Sequence, residues 1–155
     1  MSIPTPHLEY AFTVRASLEP PLVIGQGPEG LRRFVPITGG TFEGPLLKGK
    51  VVPGSGDWQV VRADGVLFAD ARYTLESEQG VRFSVQNRGI RHAPPDIMEK
   101  LTKGEPVPAD SYYFRTSALM EAPLDSELAH LNRTLFVATA EREPNTAIIH
   151  FHRVL

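Results

Sequence analysis

The sequence predicts an all-β chain folded as a closed antiparallel β-barrel, with one or two short helices in its loops. Three observations predict it. Apolar and polar residues alternate with a period of two in segment after segment. Thirteen glycines and 14 prolines recur as punctuation between those segments and form no low-complexity tract. Helix signals are confined to two short stretches. About nine strands at regular spacing fit a sandwich or a barrel. A barrel is preferred because it removes exposed sheet edges and its inner face accepts polar as well as apolar side chains.

Each element has its own signal. In LEYAFTVRASL, residues 8–18, a strand places Leu8, Tyr10, Phe12, Val14 and Ala16 on one face and Glu9, Thr13 and Arg15 on the other. PLVIG is short and apolar, and RRFVPITGGTFEGP reads as a strand running into a glycine-rich bend. LLKGKVV alternates. DWQVVRA ends at Asp64-Gly65, a hairpin signal, and VLFADARYTLES follows. VRFSVQNRGIR puts Val81, Phe83, Val85 and Asn87 on one side. SYYFRTSALMEA, TLFVATAE and TAIIHFHRVL complete the strands. DIMEKLTKG, residues 96–104, reads as a helix with Asp96 as N-cap, Glu99 completing a capping box and Gly104 as the stop. DSELAHL, residues 125–131, offers one or two further turns. No repeat or linker divides the chain, so residues 1–155 are expected to form a single barrel domain.

Composition narrows the function classes. The chain is 41% hydrophobic and 22% charged, with a formal charge of −2. Its basic residues are dispersed, so neither nucleic acid nor an anionic membrane is an expected partner. Cysteine is absent, which removes disulfides, thiolate ligands and a cysteine nucleophile. No apolar run approaches the roughly 18 residues of a membrane span. The N-terminal MSIPTPHLEYAF lacks the pattern of a secretion signal, and a cytoplasmic location is expected.

Several short motifs are weighed and set aside. GQGPEG, residues 25–30, matches G-x-G-x-x-G, but Pro28 sits inside it and no helix follows, so it reads as a turn. His150 and His152 share a strand face, yet the chain ends at Leu155 without the further ligands such a pair requires. His7, His92 or His130 would serve only if the fold gathered them. No metal and no cofactor is expected. Gly56-Asp57-Trp58 satisfies the G-x-W pattern of lipocalin-type barrels, but lies mid-chain and not on the first strand. Ser55 has no evident base partner and no G-x-S-x-G elbow around it.

The remaining candidates lie in or at the ends of strands: Asp57-Trp58, Arg72-Tyr73, Asn87, and Tyr112 to Thr116. Asp70, Arg72 and Thr74 share one face, and Tyr113, Arg115 and Ser117 share another. If these polar faces point inward, Arg72 and Arg115 meet Asp57 in a polar lumen. If the apolar faces do, they form a solvated exterior, and periodicity does not choose between the two. Adjacent residues on a strand point to opposite faces, so Asp57 and Trp58 cannot both enter the lumen. Asp57 is expected inside, as a general acid or base tuned by partial burial. Arg72 and Arg115 would bind a carboxylate or stabilise an enolate, with Tyr113 and Asn87 orienting the ligand. In the alternative of a non-catalytic binding barrel, Trp58 would instead supply an apolar wall.

The segments that carry these residues also resemble a known family. The bend GG-TFEGP, GDW, the D-ARY strand, QNRG, the YYFRT strand, LAHLNRTLFVATAER and the closing HFHRVL are similar to the DUF3237 family, also called UPF0311, from about Phe12 to the end. The resemblance implies a calycin or allene-oxide-cyclase-like barrel with a central cavity, often with paired subunits. A homodimer or higher homo-oligomer is therefore expected. His130 stands where an aromatic residue is common in that family, and would change the cavity's chemistry if it lined it. Related barrels hold small hydrophobic ligands or perform cyclisation and isomerisation. The expected function is a small-molecule-binding barrel acting as an isomerase, cyclase or lyase on a small carbonyl or carboxylate compound. A non-catalytic binding barrel and a structural protein with a filled barrel are the alternatives.

Overall fold

The structure, a computed structural model, describes residues 1–155. Nine strands follow in order: β1 (Leu8–Leu18), β2 (Leu22–Gly27), β3 (Gly30–Glu43), β4 (Gly49–Val61), β5 (Leu67–Ser77), β6 (Arg82–His92), β7 (Tyr113–Glu121), β8 (Leu135–Glu143) and β9 (Thr146–Val154). Every pairing is antiparallel, and each strand from β3 to β8 pairs with the next. β1 pairs with β9 on one edge and with the second half of β3 on the other, which closes an eight-stranded barrel. β2 stands outside the ring, paired with the first half of β3. The expected barrel is therefore observed, and closure leaves the ring itself without a free edge.

Closure depends on the glycine-rich bend. Gly39 and Gly40 both adopt positive φ, and a side chain at Gly40 would collide with the Arg15 carbonyl of β1. The sequence GQGPEG forms the β2–β3 hairpin turn. Asp64-Gly65 turns the β4–β5 hairpin, with Gly65 at positive φ and its N–H donating to the Arg62 carbonyl at 2.9 Å.

One register differs from simple alternation. A β-bulge at Ala11 lets Tyr10 pair with His152 while Phe12 pairs with Phe151. The extra residue flips the start of β1, so Leu8 and Tyr10 face solvent while Phe12, Val14 and Ala16 face inward. The five residues expected on one face are thus split between two.

The barrel interior has two unlike halves. In one, Phe12 packs against the rings of Phe42, Phe83, Phe136 and Phe151 at centroid distances of 5.2 to 6.5 Å. These five rings are almost completely buried, and they fill that half outright. In the other half the inward positions are largely small, among them Ala16, Ala69, Ala71, Ala140 and Ala147. Small side chains leave space there for long polar ones.

The helix α1 (Pro95–Thr102) belongs to the excursion that links β6 to β7. This segment leaves and rejoins the barrel at the polar end, beside Arg91 and Phe114. Leu101 is buried in the core, with Ile97, Met98 and Val107 packed against it. Asp96 is not the N-cap. Pro94 occupies that position without a side-chain cap, Pro95 starts the helix with its φ already set, and Asp96 lies in the first turn near the positive end of the helix dipole. The helix ends at Thr102 with Lys103 as its C-cap, and Gly104 follows at positive φ, as expected. The second helical stretch is a 3₁₀ turn over Ala129–Arg133, later than the expected 125–131. Its Leu131 is fully buried, and Asn132 bonds both the N–H and the carbonyl of Ala122, which fixes the turn at the aromatic end. No helix is long and apolar enough to cross a membrane.

Candidate functional site

Strand register places Asp57 in the lumen. It lies opposite Val35 on β3 and Ala71 on β5, both inward-facing. Trp58 consequently points outward, is 48% exposed, and packs on Phe34 at a centroid distance of 4.4 Å.

Both oxygens of Asp57 are held. The Asp70 backbone N–H donates to Oδ1 at 2.9 Å, and Gln59 Nε2 donates to Oδ2 at 2.8 Å. Gln59 Oε1 in turn accepts from Arg33 Nε at 2.9 Å, and both Gln59 and Arg33 are buried. Burial raises the Asp57 pKa above its ordinary value. The Gln59 and Asp70 hydrogen bonds and the Arg91 charge oppose that rise without cancelling it, and the nearby Asp70 carboxylate reinforces it.

Two further arginines share this half of the barrel. Arg91 is 1% exposed, and its Nε and Nη2 are buried without any hydrogen-bond partner. Its guanidinium carbon lies 5.6 Å from the centre of the Phe114 ring. Burial, then the charges of Arg33 and Arg142, lower its pKa to about 10. Arg142 donates from Nη1 to the Glu143 carbonyl at 3.1 Å, and its backbone N–H donates to Tyr112 Oη at 2.8 Å.

Tyr73 Oη, Asn87 Oδ1 and Thr116 Oγ1 are also buried and unpartnered. Burial, and secondly the Asp57 carboxylate, push the Tyr73 phenol well above its usual range. Asn87 opposes this shift, though no hydrogen bond of good geometry joins the two. These groups line a cavity of about 50 Å³ whose polar wall includes Asp57, Gln59, Tyr73, Asn87, Arg91 and Arg142. Buried polar atoms in folded proteins almost always find a partner, in the protein or in ordered water, so a cluster without protein partners around a cavity makes this the candidate site.

This arrangement is suited to proton transfer. Each Asp57 oxygen accepts one hydrogen bond from the protein and keeps a second lone pair, and the carboxyl lines the cavity. Guanidinium and phenol donors around the same space can stabilise an oxyanion that develops there.

The structure brings together only part of the expected set. Asp57 and Asn87 reach the lumen. Arg72 does not: β5 turns Ala69, Ala71 and Tyr73 inward, which sends Arg72 to the outer face. β7 likewise turns Phe114, Thr116 and Ala118 inward, leaving Tyr113 and Arg115 exposed. Outside, the Arg115 guanidinium lies over the Tyr113 ring at 5.2 Å, and Tyr113 stacks on His92 at 4.9 Å. His130 sits in the 3₁₀ turn at the aromatic end, far from the polar half in strand order, and its carbonyl accepts from Thr134 Oγ1. Trp58 and Arg72 border an outer groove of about 1000 Å³, and Tyr113 and Arg115 another of about 860 Å³. His150 bonds Thr13 at 2.8 Å and Glu141 at 2.7 Å on the exterior, and His152 packs on Tyr10.

Arg33, Gln59, Arg91 and Arg142 are buried lumen residues that the sequence reading did not select, whereas Tyr73 and Thr116 lay in its candidate stretches without an assigned role. For some the signal was present. Arg91 continues the inward series Phe83, Val85, Asn87, and Arg33 begins the series Val35, Ile37.

Comparison with known proteins places the chain. The family described as "Protein of unknown function (DUF3237)" matches residues 6–154. A UPF0311 protein of Rhodopseudomonas palustris is 34% identical over 152 residues, which is 98% of this chain and 99% of that one. The crystal structure of a conserved protein of unknown function from R. palustris superposes with a TM-score of 0.94 at 34% identity, over 99% of this chain and 100% of that chain. An enzyme from Penicillium herquei shares the fold at a TM-score of 0.73 and 23% identity, over 100% of this chain and 99% of that chain. The hydroalkoxylation enzyme phnH of P. herquei is 31% identical over 85 residues, 54% of this chain and 56% of that protein.

Proposed function

This chain belongs to the DUF3237 family, and from that premise we propose that it is a small-molecule enzyme whose barrel lumen performs acid–base catalysis. The reaction class is an isomerisation, cyclisation or elimination on a small carbonyl or carboxylate compound. The observation that carries this reading is Asp57. It is a carboxyl group with raised proton affinity, fixed at both oxygens and facing a cavity rimmed by unsatisfied donors and acceptors. Proton affinity moved toward neutral pH favours a group that both gives and takes a proton.

Asp57 would take a proton from one substrate atom and return it to another, so the enzyme ends each cycle as it began. Arg91 and Arg142, which line the cavity, would stabilise the negative charge that appears on the substrate oxygen between the two steps, with Arg33 behind them through Gln59. A cavity of about 50 Å³ takes a group of about the size of a carboxylate and little more. The reacting end of the substrate therefore enters, and its remainder lies toward the β6–β7 excursion. The partial likeness to a hydroalkoxylation enzyme supports this reading, because adding an O–H across a double bond moves a proton from oxygen to carbon.

Incubation with a metabolite extract in D₂O, followed by mass spectrometry, tests the proposal. The wild-type chain is expected to convert or deuterate a compound that Asp57→Asn leaves unchanged, while the variant keeps its circular dichroism and melts no lower than the wild type. Equal conversion by the variant contradicts the proposal. So does a compound retained by the wild type without conversion or deuteration, which is the behaviour of a binding barrel.

A further inference from the structure

The charge inventory of the lumen does not balance. Arg33, Arg91 and Arg142 lie close enough that Arg33 depresses the proton affinity of both others. None of the chain's eight ion pairs involves any of them. Their hydrogen bonds go to neutral groups: Arg33 to the Gln59 amide and Arg142 to the Glu143 carbonyl. Arg91 makes none through its buried Nε and Nη2. The carboxylate whose charge reaches all three is Asp57, and its oxygens accept from Gln59 and the Asp70 N–H. With Asp57 ionised, three positive charges face that carboxylate and, beside it, Asp70, which leaves the positive charge in excess. Enclosed charge without a counter-charge is unfavourable, and a bound anion relieves it.

We infer that the lumen takes its ligand as an anion with charge shared over two oxygens, of the carboxylate class, seated on Arg91 with Arg142 beside it. This rests on the lumen being the working site. The geometry favours a two-oxygen anion because guanidinium Nε–H and Nη2–H point in the same direction, as a fork that matches a carboxylate. In Arg91 both arms of that fork are unpartnered and buried. The cavity lined by Arg91 and Arg142 has room for a carboxylate and little more. Asp57 lines the same space, so the bound anion places the ligand's body within reach of the acid–base group.

An NMR titration of the full chain with sodium acetate, and separately with the neutral isostere acetamide, tests this. Acetate is expected to shift the Arg91 Nε–H resonance and to bind at least about 30-fold more tightly than acetamide. Arg91→Met is expected to lose acetate binding by at least about 30-fold while melting no lower than wild type, because it removes an unpaired buried charge. Arg142→Gln, nearer the rim, provides a second variant with a smaller loss. Equal binding of acetamide and acetate, or wild-type acetate affinity in Arg91→Met, overturns the anion class. In that case the lumen reading stands if Asp57→Asn still abolishes conversion. If neither compound moves a lumen resonance and Arg91→Met only lowers the melting temperature, the arginines are structural and both readings fall.

Discussion

Asp57 and Trp58, adjacent in the chain, stand on opposite sides of the barrel wall: the carboxylate faces the lumen and the indole packs on Phe34 outside. Strand pleating imposes this separation, and the pairing of Asp57 with Val35 and Ala71 decides which residue goes in.

Trp58 is the sole tryptophan and therefore reports on this relationship directly. Its fluorescence is expected to be red-shifted and readily quenched by acrylamide, and to be indifferent to acetate bound in the lumen. Trp58→Ala should cost about 1 kcal/mol through the lost pairing with Phe34, and leave turnover intact. Blue-shifted, unquenchable emission would place the indole inside.

The raised pKa of Asp57 makes its contribution to stability depend on pH. Between its unfolded and folded pKa values the folded state binds more protons than the unfolded one. Stability from this group is therefore greatest below the unfolded value of about 4 and falls as pH rises to the folded value. Urea unfolding of wild type and Asp57→Asn across pH 4 to 8 checks this. The difference in stability is expected to shift against the wild type as pH increases, and a difference flat in pH contradicts it.

Gln59 is the bridge between Asp57 and Arg33. Gln59→Leu strands the Arg33 Nε donor and one Asp57 oxygen in an enclosed setting. At about 1–3 kcal/mol for each unsatisfied group, a loss of about 3 kcal/mol is expected in chemical denaturation. A loss under about 1 kcal/mol would show that water reaches both groups freely.

Much of the architecture was legible in the sequence because period-two alternation and Gly/Pro punctuation are local signals. They pick out every strand, although LLKGKVV and DWQVVRA, read as two segments, run on through residues 53–56 as the one strand β4, and Asp64-Gly65 identifies a hairpin. The Ala11 bulge was not legible, since one inserted residue leaves no mark on composition yet reverses Leu8 and Tyr10. The site was harder for a related reason. Arg72, Tyr113 and Arg115 attract attention as polar and aromatic residues on strands, but their neighbours Tyr73, Phe114 and Thr116 hold the inward face. Arg33, Arg91 and Arg142 occupy inward positions at the ends of apolar series, where a strand's last charged residue reads as solvent-facing. Their approach to one another across β3, β6 and β8 is set by barrel closure, which joins residues remote in sequence.

The aromatic half of the barrel should behave as a rigid plug. Phe12 contacts four other phenylalanine rings, and Phe12→Ala is expected to cost about 3–5 kcal/mol by leaving an unfilled space. Thermal or urea denaturation measures it. A cost near zero would mean that the rings repack and the plug is fluid.

The most direct test of the central claim is an NMR titration of the Asp57 carboxyl carbon in the wild-type chain. A midpoint above the ordinary aspartate value of about 4 is predicted, moving higher when acetate occupies the lumen, because a second negative charge there disfavours the ionised carboxylate. A midpoint at or below about 4 that acetate leaves unmoved would contradict the account.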